Sequence, residues 1–306
     1  MTESGENLGS LSTEAIDARY SDIDNLNTVE LCKLLNESDQ GVPLAVSRKI
    51  PSISRAIDEI SKRMARGGRL FYVGAGTSGR LGVLDASECI PTFSIDEGVV
   101  VALIAGGDLA LRKGIEGAED VHEGAHQEFA NLKLSEIDSV VGIAASGRTP
   151  YVIGALEYAY HVGALTVSLS CNKNSEISKF AEYPIEIETG PEVLAGSTRL
   201  KAGTAQKLVL NMISTISMIN LGKTFGNLMV DLQVSNIKLR DRAIRIIQAA
   251  TECDELTARQ ALEASRNQVK IAIVMLLLEL SAEEAYVALN EANSKVREVI
   301  RKAKNK

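Results

Sequence analysis

Tryptophan is absent from the 306-residue chain, and Phe and Tyr together make up only 4% of it. Aromatic stacking is therefore a poor basis for holding a ligand. Histidine is scarcer still, with three residues. They form no triad and no metal-ligand pattern. His122 and His126 stand four apart in an expected helix, but no third ligand at useful spacing accompanies them, so no metal is expected. The four cysteines, Cys32, Cys89, Cys171 and Cys253, are scattered, with neither metal spacing nor the density of a disulfide framework. They read as reduced, mostly structural thiols of a cytoplasmic protein. A basic tail or stripe is also missing. With a net charge of −7, nucleic acid is not an expected partner, although a local basic pocket stays open. The polar start Met1-Thr-Glu-Ser-Gly-Glu-Asn has no signal-peptide core. The longest apolar run, Ile271–Leu278, is too short to span a bilayer, so no membrane partner is expected.

What is present is a repeated device. Leu70-Phe-Tyr-Val-Gly-Ala-Gly-Thr-Ser-Gly-Arg80 and Val140-Val-Gly-Ile-Ala-Ala-Ser-Gly-Arg-Thr149 each run from an apolar stretch through Ser-Gly-Arg into a helical pattern. A strand that breaks into a small hydroxyl-rich turn and opens a helix offers backbone N–H groups to an anion. Two such turns suggest one phosphorylated, polyhydroxylated small molecule held from two sides.

The rest of the chain supplies a frame for these turns. Four more apolar runs follow the first: Val99–Ala105, Val140–Ala145, Leu165–Ser170 and Tyr183–Glu188. Most are continuous rather than alternating, as in strands buried on both faces of a parallel sheet. Helical patterns intervene at Gly79–Cys89, Ala110–Leu132, Pro150–Val162 and Ser175–Phe180, after a helix over Pro51–Arg66. This alternation predicts an α/β three-layer sandwich on a five-stranded, mainly parallel sheet. Its ligand should sit outside the carboxyl ends of the strands. A long helix over Lys201–Leu221 closes this domain. Beyond it only helices are expected, at Asn236–Thr251, Glu255–Ala264, Gln268–Leu278 and Ala282–Arg301. Asp254 and Ser281 read as starts of the capping-box type. The expected organisation is an N-terminal helical arm over 1–50, with Thr28–Leu35 its clearest helix, a phosphosugar-binding domain over 51–222, and a small helical domain over 223–306. The arm could lie on a partner subunit or cap its own chain.

Gly74-Ala-Gly-Thr-Ser-Gly79 fits G-x-G-x-x-G, which invites a dinucleotide reading. Against it, the next strand run ends in Gly106-Gly107, where an acidic ribose ligand should stand. Asp108 comes late and reads as a helix N-cap. The second turn has no role in a dinucleotide site, so phosphosugar binding is the better reading.

The paired turns resemble the sugar isomerase domain. Within that group, three longer segments are similar to the N-acetylmuramic acid 6-phosphate etherases. They are Gly74–Cys89, Glu116-Gly-Ala-Glu-Asp120, and Gly190–Lys207, which contains Gly-Ser-Thr-Arg-Leu-Lys-Ala-Gly-Thr-Ala-Gln. The match extends from Leu11-Ser-Thr-Glu-Ala through the C-terminal helices. The wider isomerase group often carries a hydroxyl two places before Ser146. Here Ala144 stands there, which weakens an isomerase reading.

The resemblance implies removal of D-lactate from position 3 of an open-chain phosphorylated amino sugar. The ether oxygen is β to the aldehyde, so the C2 proton is acidified by the carbonyl. A base removes it, an acid protonates the departing oxygen, and water adds back. Two carboxyl groups suffice, without metal or organic cofactor. The resemblance makes Glu88 the general acid and Glu119 the base. The surroundings of Glu88, short-chained and then apolar, suggest partial burial. Glu116, three residues from Glu119, is its nearest competitor. Thr77, Ser78, Gly79, Ser146, Gly147 and Thr149 would bind phosphate, and Arg148 would add a charged contact or a subunit salt bridge. Ser197, Arg199 and Lys201 would supply positive potential, or a hydroxyl cap and surface charge. The resemblance also implies a homodimer. The competing readings are a non-catalytic sugar-phosphate sensor, as in the larger, duplicated regulatory protein of glucokinase, and an aldose–ketose isomerase.

Overall fold

Every expected strand run becomes a strand. They are β1 (Leu70–Gly74), β2 (Val100–Ile104), β3 (Ser139–Ile143), β4 (Leu165–Ser170) and β5 (Tyr183–Glu186). They form one parallel sheet in the order β2-β1-β3-β4-β5. This computed structural model of the chain describes residues 11–232, 234 and 236–305. β1, β3 and β4 are buried along their whole length, which explains why their sequences lack alternation. Two compact units emerge. The first holds the described residues up to Ala86 and Gly98–Ser214, the second Ser87–Glu97 and the described residues from Thr215 on.

In the first unit the sheet carries helices on both faces. One face presents Phe71, Val73, Val140 and Ala144. Against it pack Phe129 of α4 (His126–Asn131) and Val152, Ala155 and Leu156 of α5 (Pro150–Val162). Phe71 and Phe129 meet edge to face at 5.9 Å. The other face presents Tyr72. Its hydroxyl donates to Asp85 of α3 (Gly76–Phe93) at 2.9 Å. Ser214 of α6 (Lys201–Asn220) donates to the same carboxylate at 3.1 Å. Asp85 is buried, and that burial pushes its carboxyl above the usual range against the pull of the two hydroxyl donors.

Three local expectations change. The helix expected over Ala110–Leu132 is not continuous. It resolves into short 3-10 turns at Gly107–Leu111 and Ala118–Asp120, and then α4. Gly114, Gly117 and Gly124 interrupt the pattern, and the 3-10 turn at Ala118 opens on left-handed Gly117. Asp108 does not cap. Left-handed Gly106 holds the N-cap position, and Asp108 lies inside the first turn. Towards the N-terminus, α1 runs over Thr28–Ser47, well beyond Leu35. It continues past Gly41 and Pro43 because Val42, Ala45 and Val46 bury there, which offsets the hydrogen bond Pro removes. It is followed by α2 (Ile50–Met64), whose buried stripe is Ile53, Ile57, Ile60 and Met64.

The second unit contains a hairpin of β6 (Thr224–Phe225) and β7 (Leu228–Met229) and the helices α7 (Ile237–Thr251), α8 (Glu255–Ala264), α9 (Val269–Leu278), α10 (Ala282–Glu291) and α11 (Val296–Lys304). Ile247, Leu262, Ile273, Leu289 and Val296 are in its core. The last expected helix, Ala282–Arg301, is two. Asn293 and Ser294 turn left-handed, and Ser294 N–H closes on Leu289 C=O at 2.8 Å. Asp254 accepts from Thr257 N–H, and Ser281 forms a full capping box with Glu284. No helix among the described residues is long and apolar enough to cross a membrane.

Asp138 ties the strands together just before β3 begins. Its carboxylate accepts from Arg69 N–H at 2.8 Å, Nε at 3.1 Å and Nη2 at 2.7 Å. It also accepts from Ser135 N–H at 2.9 Å and Oγ at 3.0 Å. Burial alone would raise its pKa, but the donors from Arg69 and Ser135 and the guanidinium charge together hold it below the usual range. A lowered folded pKa contributes stability above the unfolded value, near 3.9, and loses it as pH falls through the folded value. Asp138→Asn is therefore expected to destabilise the protein by about 2–4 kcal/mol at pH 7. The gap to wild type should narrow below about pH 4. Urea midpoints at pH 7 and pH 3 measure both. An equal gap at the two pH values would refute the assignment.

Candidate active site

The first Ser-Gly-Arg turn is the junction of β1 and α3. The strand ends at Gly74, and the helix opens at Gly76. Thr77, Ser78 and Gly79 therefore lie in the first helical turn. Gly79 N–H donates to Ala75 C=O at 3.1 Å. The preceding N–H groups of the turn precede any intrahelical acceptor and suit an anion. Close packing dictates the glycine. A Cβ on Gly79 would lie 2.6 Å from Ile104 Cγ1 and 2.7 Å from Gly74 C=O. Thr77 is half-buried and Ser78 is buried. The Ser78 hydroxyl donates to Gln206 Oε1 on α6 at 3.0 Å. Gln206 is fully buried, and its Nε2 has no partner among the described residues.

The second turn follows β3. Gly147 adopts φ +74°, and a Cβ there would fall 2.3 Å from Ser175 Cβ, so no other residue fits without movement. Ser146 Oγ accepts from Arg148 N–H at 3.3 Å, and Thr149 takes the N-cap position of α5. Asn172, after β4, braces the turn by donating to Ala145 C=O at 3.1 Å and Ser146 C=O at 3.3 Å. It also donates to Thr13 Oγ1 at 2.8 Å and accepts from Ser12 Oγ at 2.9 Å. The Leu11-Ser-Thr-Glu segment is thereby anchored to this turn.

The sheet brings the two turns together. β1 and β3 are adjacent and parallel, with Gly74 opposite Ile143. Their carboxyl ends form the point where the strand order reverses, the usual ligand crevice of such sheets. Beside the first turn lies a cavity of about 220 Å³ whose wall includes Ala75, Gly76, Arg80, Lys113, Glu116 and Glu119.

The two proposed acids stand differently from the expectation. Glu88 is exposed rather than partly buried, because Asp85, Ala86 and Cys89 take the inward positions of α3. Glu119 lies in the 3-10 turn Ala118–Asp120, also exposed, on the cavity wall with its neighbour Glu116. Ahead of α6, the helix cap is neither Ser197 nor another hydroxyl. The buried Glu192 carboxylate accepts from Lys201 N–H and Ala202 N–H, both at 2.9 Å. Lys201 is buried, not a surface charge, and Arg199 is exposed. His122 precedes α4 instead of sharing a helix with His126. It pairs with Glu157 at 3.0 Å, and His126 Nε2 meets Gly154 C=O at 3.1 Å. No cluster among the described residues could hold a metal ion.

Sequence reasoning gave no role to Arg80, Asn172, Glu192 or Gln206. Arg80 Nε donates to Leu111 C=O at 3.2 Å and Nη2 to Lys113 C=O at 3.3 Å, which pins the loop leading to Glu119. Its repetition in Ser-Gly-Arg was the signal available. Gln206 and Glu192 both fall in the quoted Gly190–Lys207 segment, where only pairing in space gives them meaning.

Three family models match this chain. The N-terminal SIS domain of glucokinase regulatory protein matches residues 52–160, the SIS domain 109–216, and the C-terminal lid domain of glucokinase regulatory protein 226–270. A phosphoheptose isomerase from Francisella tularensis shares the fold, with a TM-score of 0.51 at 16% identity, over 63% of this chain and 100% of that one. N-acetylmuramic acid 6-phosphate etherases are far closer in sequence. The one from Caldanaerobacter subterraneus subsp. tengcongensis is 55% identical over 294 residues, 96% of each chain. That of Streptomyces coelicolor is 54% identical over 290 residues, 95% of this chain and 93% of its own. Identity of this depth, spanning both units and both Ser-Gly-Arg turns, places the chain in the N-acetylmuramic acid 6-phosphate etherase family.

Proposed function

We propose that this protein is a carbon–oxygen lyase that cleaves the D-lactyl ether of N-acetylmuramic acid 6-phosphate, giving N-acetylglucosamine 6-phosphate and D-lactate in the catabolism of a cell-wall amino sugar. The observation that carries this reading is the 55% identity, over 96% of the chain, to an etherase of that name. Four cysteines without a disulfide support a cytoplasmic setting.

The reaction proceeds on the open-chain aldehyde. Glu119 takes the C2 proton, the electron pair forms the C2–C3 double bond, and the C3–oxygen bond breaks. Glu88 protonates the departing oxygen, which leaves with lactate. Water then adds its oxygen to C3, and a proton returns to C2. Backbone N–H groups of both turns, with Thr77, Ser78, Gly79, Ser146, Gly147, Arg148 and Thr149, hold the phosphate. Arg199 and Lys201 add positive potential beside Ser197.

We assign Glu88, exposed on α3, to the substrate held by a second copy of the chain, in a homodimer. Two features support a dimer. Most residues over 28–41 of α1 are exposed within the chain, and Ile216 and Ile219 of α6 are exposed.

Turnover in deuterium oxide should place deuterium at C2 of the product. Glu88→Ala is expected to stop lactate release while permitting C2 exchange, and Glu119→Ala to lose both. Normal exchange by Glu119→Ala would reverse the base assignment, and absence of lactate release by wild type would end the etherase reading.

Mixing the inactive Glu88→Ala and Glu119→Ala proteins tests the assignment of Glu88 to the partner. Heterodimers should regain activity, since one site then combines an intact Glu119 with an intact Glu88 from the other copy. Mixed dimers that form but stay inactive, or a wild type that sediments as a monomer, would overturn it.

A further inference from the structure

The substrate carries two anions, a phosphate and the carboxylate of its lactyl group, and the paired turns account for the first alone. We propose that Arg80 and Lys113 form the subsite for the lactyl carboxylate, an inference that rests on the etherase reading above.

The cavity beside the first turn motivates it. Its wall carries Glu119, the proposed base at C2, so the neighbouring C3 substituent must lie close by. The same wall carries Glu116. A lactyl carboxylate entering between two other carboxylates is repelled unless cations accompany it. Arg80 and Lys113 are the cations of that wall.

Arg80 is suited to the task by what already holds it. The side chain is half-buried, with Nε bonded to Leu111 C=O and one Nη2 hydrogen to Lys113 C=O. Two of its five N–H groups are thus spent on fixing the guanidinium plane, and the other three have no partner among the described residues. A planar fork held in this way is pre-organised for a carboxylate. Lys113 is exposed, and no acidic partner lies within ion-pair distance of it among the described residues. Its charge is therefore not consumed by the protein. One residue then does two jobs. Arg80 fixes the loop that delivers Glu119 and receives the group that the elimination expels. The sugar product lacks the carboxylate, so the subsite favours the substrate over the sugar product.

The test compares two substrates: N-acetylmuramic acid 6-phosphate and the analogue whose lactyl carboxylate is a carboxamide. Wild type should lose at least about tenfold in kcat/KM on the neutral analogue, the scale of one charge-assisted contact. Lys113→Gln should lose about tenfold on the acid and almost nothing on the amide. Arg80→Lys should behave alike if the loop holds. Lys113, an exposed side chain, keeps the test decisive should the Arg80 variant misfold. Inhibition by N-acetylglucosamine 6-phosphate, which has no lactyl group, should not change in Lys113→Gln. Equal losses on both substrates, or no loss on either, would overturn the subsite. Failure of the etherase reading is separate, because wild type would then release no lactate from the natural substrate.

Discussion

The pairing of β1 with β3 is the constraint on which the candidate site depends. These strands are far apart in sequence and must be parallel, which requires a long crossover rather than a hairpin. Their register sets Leu70 against Ser139 and Gly74 against Ile143. A slip of one residue would turn every side chain of a fully buried strand to the opposite face. At the amino end, the Arg69–Asp138 network locks the pair before either strand begins. At the carboxyl end both strands break in the same way, so the two Ser-Gly-Arg turns leave the sheet from adjacent strands. Placing the twin turns side by side is thus a matter of strand register, not of contact between the turns themselves.

Helices α3 and α6 convert that register into a rigid first turn. α3 grows directly from the turn, and α6 is held to it by two buried polar contacts at different heights, Ser78–Gln206 and Asp85–Ser214. The start of α6 is fixed by the Glu192 carboxylate, which satisfies two N–H groups that would otherwise be orphaned. Each of these polar groups is costly to bury alone and favourable when paired. Together they restrict the turn to one placement. On the opposite face, α5 performs the same service for the second turn, opening at Pro150 immediately after it.

Much of this fold was legible in sequence, because continuous β-branched runs have few alternatives to buried parallel strands. The strands and α5, α8 and α9 fell within a few residues of expectation. The failures share a cause. Between β2 and β3 the apolar spacing imitates one helix, but three glycines let the chain take 3-10 turns around Arg80 and Tyr151 instead. Within 28–47 the reverse happened: Gly41 and Pro43 look like breakers, and tertiary burial of Val42 and Val46 carries the helix through them. In the site, the turn residues were readable since their chemistry is local. Gln206, Glu192 and Asn172 were not. Each acts on a segment more than eight residues away in sequence, and an isolated Gln, Glu or Asn carries no sign of its partner.

The exposure of Glu88 and Glu119 has a chemical consequence. An elimination needs one carboxyl protonated and one ionised at the same pH, and such separation arises from unequal burial or unequal charge around the two groups. The water that surrounds them must also be excluded, or the unsaturated intermediate meets solvent without control over which face is attacked. A bound phosphosugar would cover part of the wall around Glu119. In the homodimer we propose, a second copy of the chain removes water from the Glu88 carboxyl, which a single chain leaves exposed. The surfaces open to that second copy include the exposed Ile216 and Ile219 near the end of α6.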